Sequence, residues 1–260
     1  MVNKRVANMS RLARTRRKKR HFGCLKLLSL VILGWLVVMG INWYHQYQDN
    51  KLNQYAIRGV TVSQQNSYVD FISLANIGER FVYIRASQGA IYTDNDFADN
   101  YQRAQGSNLK VGVYHSFSLN SSADAQFTNF SSEVDNNVGI LPIAIQITEN
   151  ETTLTKKQIQ SVRHFINLVQ QRYDRRIIIW STNRIYDQVR FKGNLCLFWS
   201  LNNELVDGQH ALKTYNPNQT LKNDGQSQQF VQSVFNGNER QWREYIKSRL
   251  SKNGGIALEN

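Results

Sequence analysis

"LPIAIQITE", residues 141–149, is the stretch that decides the fold class of this chain. It is apolar from Leu141 to Ile145, which is typical of a strand buried on both faces. Near its end it carries Gln146 and Thr148, and residues two apart on a strand point to the same face. An amide and a hydroxyl do not exchange protons at neutral pH. The stretch therefore predicts a buried strand that delivers two neutral polar side chains to a site.

Strand-like runs and amphipathic runs alternate on both sides of this stretch. The runs rich in β-branched and aromatic residues predict strands at residues 81–87, 110–117, 141–147, 176–182 and 195–201. Residues 94–108 and 155–176 predict helices, the second with Thr155 as N-cap and with an apolar face of Ile159, Val162, Phe165, Ile166 and Val169. This alternation predicts an α/β fold with a parallel sheet covered by helices, either a barrel or a doubly wound sheet.

The predicted strands end in polar and aromatic residues, and sites on such folds form at the carboxyl ends of strands. The candidates at these ends are Gln88, Tyr114, His115, Gln146, Thr148, Ser181, Asn183 and Trp199. Hydrogen-bonding amides and hydroxyls beside aromatic rings suit a sugar, but a pair of carboxylates is missing. The sequence has no glycine-rich phosphate loop and no Cys/His cluster with metal-ligand spacing, so we expect neither a cofactor nor a metal.

The net charge of +13 belongs to the beginning of the chain. Ten of the 32 Lys and Arg residues and none of the 19 acidic ones lie in residues 1–44, so the remainder has a net charge of only +3. Residues 27–44 contain no charge, and a helix of that length rises about 27 Å, close to the thickness of a bilayer core. Trp43 and Tyr44 stand where an interfacial aromatic belt would lie. These features predict a single transmembrane helix.

The predicted organisation follows from this helix. We expect a basic cytoplasmic tail (1–26), the transmembrane helix (27–44), a stalk (45–56), one extracellular domain (57–250) and a short tail (251–260), with the orientation set by the positive-inside rule. The basic tail would contact anionic lipid, and we expect no nucleic acid as partner. A cleaved signal peptide is the main alternative, but no A-x-A-like site follows the apolar run. Cys196 has no cysteine partner outside the predicted membrane span and is expected to be a small buried side chain.

Seven segments of the predicted extracellular domain resemble the family 25 glycoside hydrolases, which are bacterial and phage muramidases (lysozymes). In chain order they are "GVTVSQQ", "FVYIRASQG", "YTDNDFADNY", "LKVGVYHSFS", "LPIAIQI", "IIIWSTN" and "SVFNGNERQW". The resemblance covers residues 57–248. It implies an irregular muramidase-like β/α barrel and a groove shaped for the glycan strand of peptidoglycan.

This sequence differs from the family at the positions where the family has acidic residues. The family opens with Gly-x-Asp-x-Ser, and here Thr61 holds the acid position of "GVTVS". Gln88 replaces a Glu in "YIRASQG". The family's central strand ends in Asp-x-Glu, which supplies a catalytic carboxylate and the general acid, and here Gln146 and Thr148 stand in those places.

A further family acid precedes "VFNG", where this chain has Val231 or Gln232, and no acid occurs between Asp224 and Glu239. Every acid that the resemblance leads us to expect is therefore replaced. Hydrolysis of a glycosidic bond uses two carboxyl groups, and loss of the general acid alone costs about 10²–10⁴ in rate. The sequence thus predicts a pseudoenzyme that keeps the scaffold of the family.

Nearby acids are poor substitutes. Glu149 would point away from the face shared by Gln146 and Thr148, and Glu151 falls in the predicted loop that follows. Asp94 and Asp96 match family positions in a turn, where Asp ordinarily caps the backbone. We therefore expect no rescue by Glu149 or Glu151, although they define the alternative of an active muramidase that uses non-standard acids.

The groove candidates retained from the family also have structural interpretations. His115 is expected to position or support the site, and Tyr114 and Trp199 are either stacking platforms for sugar rings or ordinary barrel packing. The leading interpretation is a membrane-anchored extracellular domain of a Gram-positive bacterium that binds peptidoglycan, or regulates or scaffolds cell-wall or division proteins. An adaptor whose groove binds no sugar is the remaining alternative.

Overall fold

The computed structural model describes residues 28–44, 55–148, 153–190, 196–201 and 210–247. The chain divides into two compact units, Met1–Gln54 and Tyr55–Asn260. The predicted tails over residues 1–26 and 251–260 lie outside the described residues, as do residues 45–54 of the predicted stalk. Glu149 and Glu151 lie outside them as well.

The first unit contains helix α1, residues 28–44, whose side chains are all exposed. It confirms a helix over the predicted span except for Leu27, which lies outside the described ranges. Within those ranges, no helix has both the length and the apolar character needed to cross a membrane.

The second unit is built around strands that are mostly short and apolar. They are β1 (Arg58–Val62), β2 (Phe81–Gln88), β3 (Tyr92–Thr93), β4 (Lys110–Ser116), β5 (Ile143–Gln146), β6 (Ile177–Ser181), β7 (Leu197–Ser200), β8 (His210–Asn223) and β9 (Gln226–Phe235). The strands β8 and β9 form a long hairpin, which turns at Asp224 and Gly225. Both turn residues have positive φ angles, as an Asp-Gly hairpin turn requires.

Eight of these strands close into a barrel. The sheet order is β1-β9-β8-β7-β6-β5-β4-β2-β3, and a direct pairing of β1 with β2 completes the ring and leaves β3 outside it. Seven barrel strands run in one direction, whereas β9 is antiparallel to both of its neighbours. The barrel is therefore irregular, as the resemblance implied, and the doubly wound alternative is wrong because the sheet is closed.

Helices cover the outside of the barrel. They are α2 (Phe71–Asn76), α3 (Phe97–Gln105), α4 (Ala123–Val134), α5 (Lys156–Tyr173), α6 (Asn183–Val189) and α7 (Glu239–Lys247). Thr155 caps α5 as predicted, because its side chain accepts a hydrogen bond from the backbone N–H of Gln158. The apolar faces of α4 and α5 join the outward side chains of β2, β4, β5 and β6 in one outer core.

Aromatic side chains fill the inside of the barrel and close its amino-terminal end, where the seven parallel strands begin. Trp242 of α7 lies 5.5 Å from Phe81 and 5.1 Å from Phe235, measured between ring centroids. Tyr245 hydrogen-bonds through its hydroxyl to the Tyr83 hydroxyl at 3.1 Å. Gly112 leaves room for this packing, since a Cβ there would lie 2.5 Å from the Tyr83 ring.

Candidate functional site

The carboxyl-terminal end of the barrel brings several of the predicted site residues into one row. Gln88 is the register partner of Ser116, and Ser116 is the partner of Gln146. The row continues from Gln146 to Trp180 and from there to Trp199. The row places the ends of β2, β4 and β5 side by side at the open end of the barrel.

Gln146 lies on the barrel-facing side of β5, as the sequence predicted. Ile143, Ile145 and Ile147 alternate with it and are all fully buried in the outer core, whereas Ala144 on the same face as Gln146 belongs to the inner core. Gln146 is half-buried, and Thr148, two residues beyond the end of β5, is exposed. Both family acid positions therefore lie at the end of β5 and carry no acid.

Ser116 holds the side chain of Gln146. The Ser116 hydroxyl donates a hydrogen bond of 2.6 Å to Oε1 of Gln146. Within the described chain, Nε2 of Gln146 has no protein partner, so it can donate to a ligand. Ser116 was not among the predicted site residues, and its position two residues after Tyr114 on β4 was the signal that could have indicated it.

Two further replaced acid positions also lie next to each other. Thr61 of β1 is the register partner of Val231 of β9. Thr61 is buried and Val231 is half-buried. A hydroxyl and an apolar side chain thus stand where the resemblance places two carboxylates if Val231 is the match, and a hydroxyl and an amide if Gln232 is. Gln232 itself is fully buried and donates to Oε1 of Glu79 at 2.8 Å.

An ion pair that the sequence did not reveal lies beside this wall. Nε of Arg85 donates to Oδ2 of Asp94 at 2.9 Å, and the Arg85 and Asp94 side chains are 10% and 0% exposed. Nη2 of Arg85 donates to the Tyr92 hydroxyl at 3.1 Å. Asp94 also accepts hydrogen bonds from the backbone N–H of Gln64, as expected of a turn residue. Together with the Asp96 backbone N–H, three donors therefore occupy its two oxygens.

A β-bulge explains the direction of Ser87. The register between β2 and β4 shifts between Arg85 and Ser87, so that Arg85 pairs with Tyr114 whereas Ser87 pairs with His115. Arg85 continues the alternation of Tyr83 and faces the inside of the barrel, whereas the extra residue turns Ser87 to the outer face although the two are two apart in the sequence. Ser87 consequently meets His115 on the outer face, which simple alternation would not predict.

Tyr114 and Trp199 are packed inside the barrel. Trp199 stacks on Trp180 at 4.2 Å with an interplanar angle of 9°, and Tyr114 meets Trp180 edge-on at 5.6 Å. Trp199 is 0% exposed and Tyr114 is 5% exposed. Burial raises the pKa of Tyr114 well above its usual value, so its hydroxyl stays neutral. These contacts fit barrel packing, and the placement of Trp199 as a stacking platform is corrected because its ring faces are covered by other aromatic rings.

His115 faces away from the mouth and supports the outer core. It is fully buried and stacks on Phe165 of α5 at 4.8 Å. Gln126 donates through Nε2 to two backbone carbonyls, so its Oε1 accepts from Nε2–H of His115 at 3.1 Å. Nδ1 of His115 then accepts from the Ser87 hydroxyl at 2.9 Å. Burial lowers the pKa of His115 to about 4, so the ring is neutral and structural and does not line the groove.

The chemistry available at this end of the barrel is hydrogen bonding without acid catalysis by the strands. None of the nine strands in the described part of the chain contains an Asp or a Glu. The described residues also hold no cluster of side chains suited to a metal ion. Cys196 is buried as predicted, and burial raises the pKa of its thiol to about 12.

Comparison with known families decides the identity of the domain. The model of the glycosyl hydrolases family 25 matches residues 60–199. The chain belongs to family 25 of the glycosyl hydrolases. The solved structure of a family 25 glycosyl hydrolase from Bacillus anthracis matches with a TM-score of 0.64 and 22% identity, over 74% of this chain and 94% of that one. This second likeness supports the barrel fold.

Two curated relatives of this family 25 member cover smaller segments. The protein YegX of Escherichia coli O6:H1 is 28% identical over 132 residues, which are 49% of this chain and 48% of the relative. The autolytic lysozyme of Clostridium acetobutylicum is 36% identical over 59 residues, which are 23% of this chain and 18% of the relative. The chain thus spans about half the length of the first relative and less of the second.

Proposed function

We propose that this family 25 protein binds the glycan strand of peptidoglycan outside the cell and does not cleave it. The observation that carries the proposal is the end of β5, where Gln146 and Thr148 occupy the family acid positions and Ser116 binds Gln146 at 2.6 Å. Amide and hydroxyl groups can hydrogen-bond a sugar, but they cannot protonate the leaving oxygen of a glycosidic bond. The names of the relatives, which include an autolytic lysozyme, support a glycan of the cell wall as the ligand.

The catalytic half of the proposal rests on the geometry that glycosidases require. A retaining enzyme uses two carboxyl groups about 5–5.5 Å apart, and an inverting enzyme uses two that are about 6.5–9.5 Å apart. Within the described residues, Asp94 is the carboxylate bound to Arg85 at the mouth, and its two oxygens already accept hydrogen bonds from Arg85 and from the Gln64 amide. A buried carboxyl group whose two oxygens are already occupied by these donors is poorly placed to reach the oxygen of a glycosidic bond.

Membrane anchoring is the second part of the proposal. Its support is the uncharged run over residues 27–44 and the ten basic residues of residues 1–44. We expect a single-pass protein with residues 1–26 in the cytoplasm, next to anionic lipid, and the barrel outside a Gram-positive cell. Retention of the chain in membranes after carbonate extraction, with loss of the barrel on protease treatment of intact cells, is the expected result. Release into the supernatant would overturn the anchor.

The test of glycan binding uses full-length protein and purified cell-wall sacculi. We expect the protein to sediment with sacculi and to release no more reducing ends than a heat-denatured control. Release well above that control would overturn the non-catalytic assignment and direct attention to Glu149 and Glu151. Failure to sediment would overturn glycan binding and favour a protein–protein adaptor that serves cell-wall or division proteins.

A double variant measures how much of the family site survives. Gln146→Asp with Thr148→Glu restores the two carboxyl groups that the family resemblance places on β5. We expect hydrolysis of sacculi to rise above the wild-type level if the mouth still accepts glycan in the family's orientation. Gln146→Asn with Thr148→Gln is the matched control, because it has similar changes in size without any acid and should remain inactive.

A further inference from the structure

A buried glutamate lies at the seam where the barrel closes. The closing strand β1 pairs with β2 from Gly59 and Phe81 onward and completes the ring. Glu79 lies two residues before β2, and its side chain is 1% exposed. Arg58, the first residue of β1, and Gln232 of β9 contact this side chain. These three residues, the seam cluster, therefore connect the three segments that meet where the barrel closes.

The donors of the seam cluster are directed at one oxygen of Glu79. Nε2 of Gln232 donates to Oε1 at 2.8 Å, and Nε of Arg58 lies 3.4 Å from the same oxygen. Arg58 also donates through Nη2 to the Ile77 carbonyl at 2.8 Å. Gly78 leaves room for the guanidinium, since a Cβ there would lie 2.9 Å from Nη2. As a result, Oε2 of Glu79 is buried and has no donor in the described part of the chain.

The seam cluster contains a second buried acceptor that is not used. Oε1 of Gln232 has no hydrogen-bond partner among the described residues. This oxygen and Oε2 of Glu79 are each bonded to a carbon that carries one atom of the existing Nε2–Oε1 hydrogen bond, so a second bond between them would close a ring. Two acceptors cannot bond each other, but a protonated carboxyl group has one O–H donor. A single proton on Oε2 would therefore satisfy both oxygens.

We infer that Glu79 carries a proton in the folded domain and pairs with Gln232 as a carboxylic acid with an amide, so that one proton holds together the seam of the barrel. In this pair, Oε2–H of Glu79 donates to Oε1 of Gln232, and Nε2 of Gln232 donates to Oε1 of Glu79. Loss of the proton would leave a charged oxygen buried without a donor, which costs more than a neutral one. The inference does not depend on the proposed glycan binding.

The charges around Glu79 determine the pH range of this device. Arg58 is the charged side chain that contacts Glu79 in the described part of the chain, and the neighbouring Arg80 is paired with Glu239 of α7 at 2.8 Å. Burial raises the pKa of Glu79 from 4.5 to about 7, against the opposing effects of Arg58 and Gln232. A raised pKa stabilises the fold fully below pH 4.5, and this contribution is lost as the pH rises to about 7. The seam is therefore expected to weaken towards alkaline pH.

The test compares the full-length wild type with Glu79→Gln by urea denaturation from pH 4.5 to 8. The glutamine amide reproduces the protonated carboxyl group, because it can donate to Oε1 of Gln232 at every pH. We expect the unfolding constant of the wild type to rise relative to that of the variant by up to about tenfold per pH unit between pH 4.5 and 7, and to level off above pH 7. The ratio removes the contribution of His115, which both proteins share. A ratio that does not change with pH would overturn the inference.

A neighbouring carboxylate provides the matched control. Glu239 lies close to Glu79 through its pair with Arg80, but its side chain is 44% exposed. We expect the ratio of unfolding constants between wild type and Glu239→Gln to stay nearly constant over the same pH range. A pH dependence as steep as that of Glu79→Gln would reduce the effect to the loss of one negative charge and would overturn the inference.

Infrared spectroscopy detects the proton itself and does not depend on stability. At pH 6, between the two pKa values, the wild type should show the carbonyl stretching band of a protonated carboxyl group, and this band should be absent from Glu79→Gln. A difference spectrum without the band would mean that Glu79 is ionised and held by Arg58, which would overturn the acid–amide pair.

Discussion

The two ends of the barrel differ in the side chains that line them: one is aromatic and the other is polar. The amino-terminal end is closed by Trp242 and Tyr245 of α7, which pack on aromatic rings of β2 and β9. The carboxyl-terminal end is open and polar, with Gln146 half-buried and Thr148 exposed. The difference shows where the fold is held together. Because Gln146 and Thr148 take no part in the packing of α7 at the closed end, we expect the side chains at these two positions to be exchangeable without loss of the barrel.

The largest effect is expected at the closed end. Trp242→Ala should lower the free energy of unfolding by about 3–5 kcal/mol, because it leaves a cavity among rings that are buried at this end. Arg243→Ala is the control, since Arg243 directly follows Trp242 in α7 and its side chain is exposed. Urea denaturation of the two variants measures the difference. Similar midpoints for both variants would show that α7 does not close the barrel in solution.

The pH dependence of stability should differ in sign between two buried groups. Glu79 precedes β2, and burial raises its pKa from 4.5 to about 7 against the opposing effect of Arg58. Its contribution to stability is complete below pH 4.5 and is lost as the pH rises to about 7. His115 lies near the end of β4, and burial lowers its pKa from 6.5 to about 4. Its contribution is complete above pH 6.5 and is lost as the pH falls to about 4.

The two groups change the free energy of unfolding in opposite directions as the pH falls. In the Glu79→Gln variant, the pH dependence that His115 causes should therefore become visible. We expect the variant to lose stability on acidification from pH 6.5 to 4 by up to about 1.4 kcal/mol per pH unit. The wild type should show a shallower dependence over this range. Glu244→Gln, which changes an exposed carboxylate, should retain the wild-type profile. Denaturation midpoints across the range provide the measurement, and parallel profiles for Glu79→Gln and wild type would contradict the prediction.

A smaller loss is expected when the buried ion pair at the open end is broken. Arg85→Met should cost about 2–3 kcal/mol, because the buried Asp94 side chain would lose its side-chain partner and keep only backbone donors. The exposed pair of Arg80 and Glu239 has a similar N–O distance, 2.8 Å, and Arg80→Met should cost at most about 1 kcal/mol. Thermal denaturation of both variants tests the contrast, and equal costs would mean that burial does not strengthen the Arg85 pair.

The smallest effect is expected at the mouth itself. Thr148→Ala should change the free energy of unfolding by no more than about 0.5 kcal/mol, because the side chain is exposed. Ile147→Ala, one residue earlier on the opposite face, should cost about 2–5 kcal/mol. Sedimentation with sacculi should show the opposite: of the folded protein, a smaller fraction of Thr148→Ala than of Ile147→Ala should bind. A loss of stability in Thr148→Ala would indicate a packing role for this side chain.

Several elements could be predicted from local sequence alone. The five apolar runs predicted β2, β4, β5, β6 and β7 to within about two residues at each end. Thr155 and the apolar spacing that follows it predicted α5, because capping and helical periodicity are local properties. The helix α4 was missed although Ala123, Phe127, Phe130 and Val134 recur at helical spacing after the N-cap Ser122, so a local signal was present and was overlooked. The antiparallel strand β9 was recognised only as a family segment.

The sequence by itself determined the absence of acids from the strands, the alternation that puts Gln146 and Thr148 on one face, and the location of the basic charge. These follow from residue identity and from the two-residue repeat of a strand. Only the tertiary structure decided that the sheet closes, that Trp199 is covered by Trp180, that His115 faces the helices, and that a bulge turns Ser87 towards His115. Such features depend on register and on contacts between residues far apart in the chain, which no local pattern specifies.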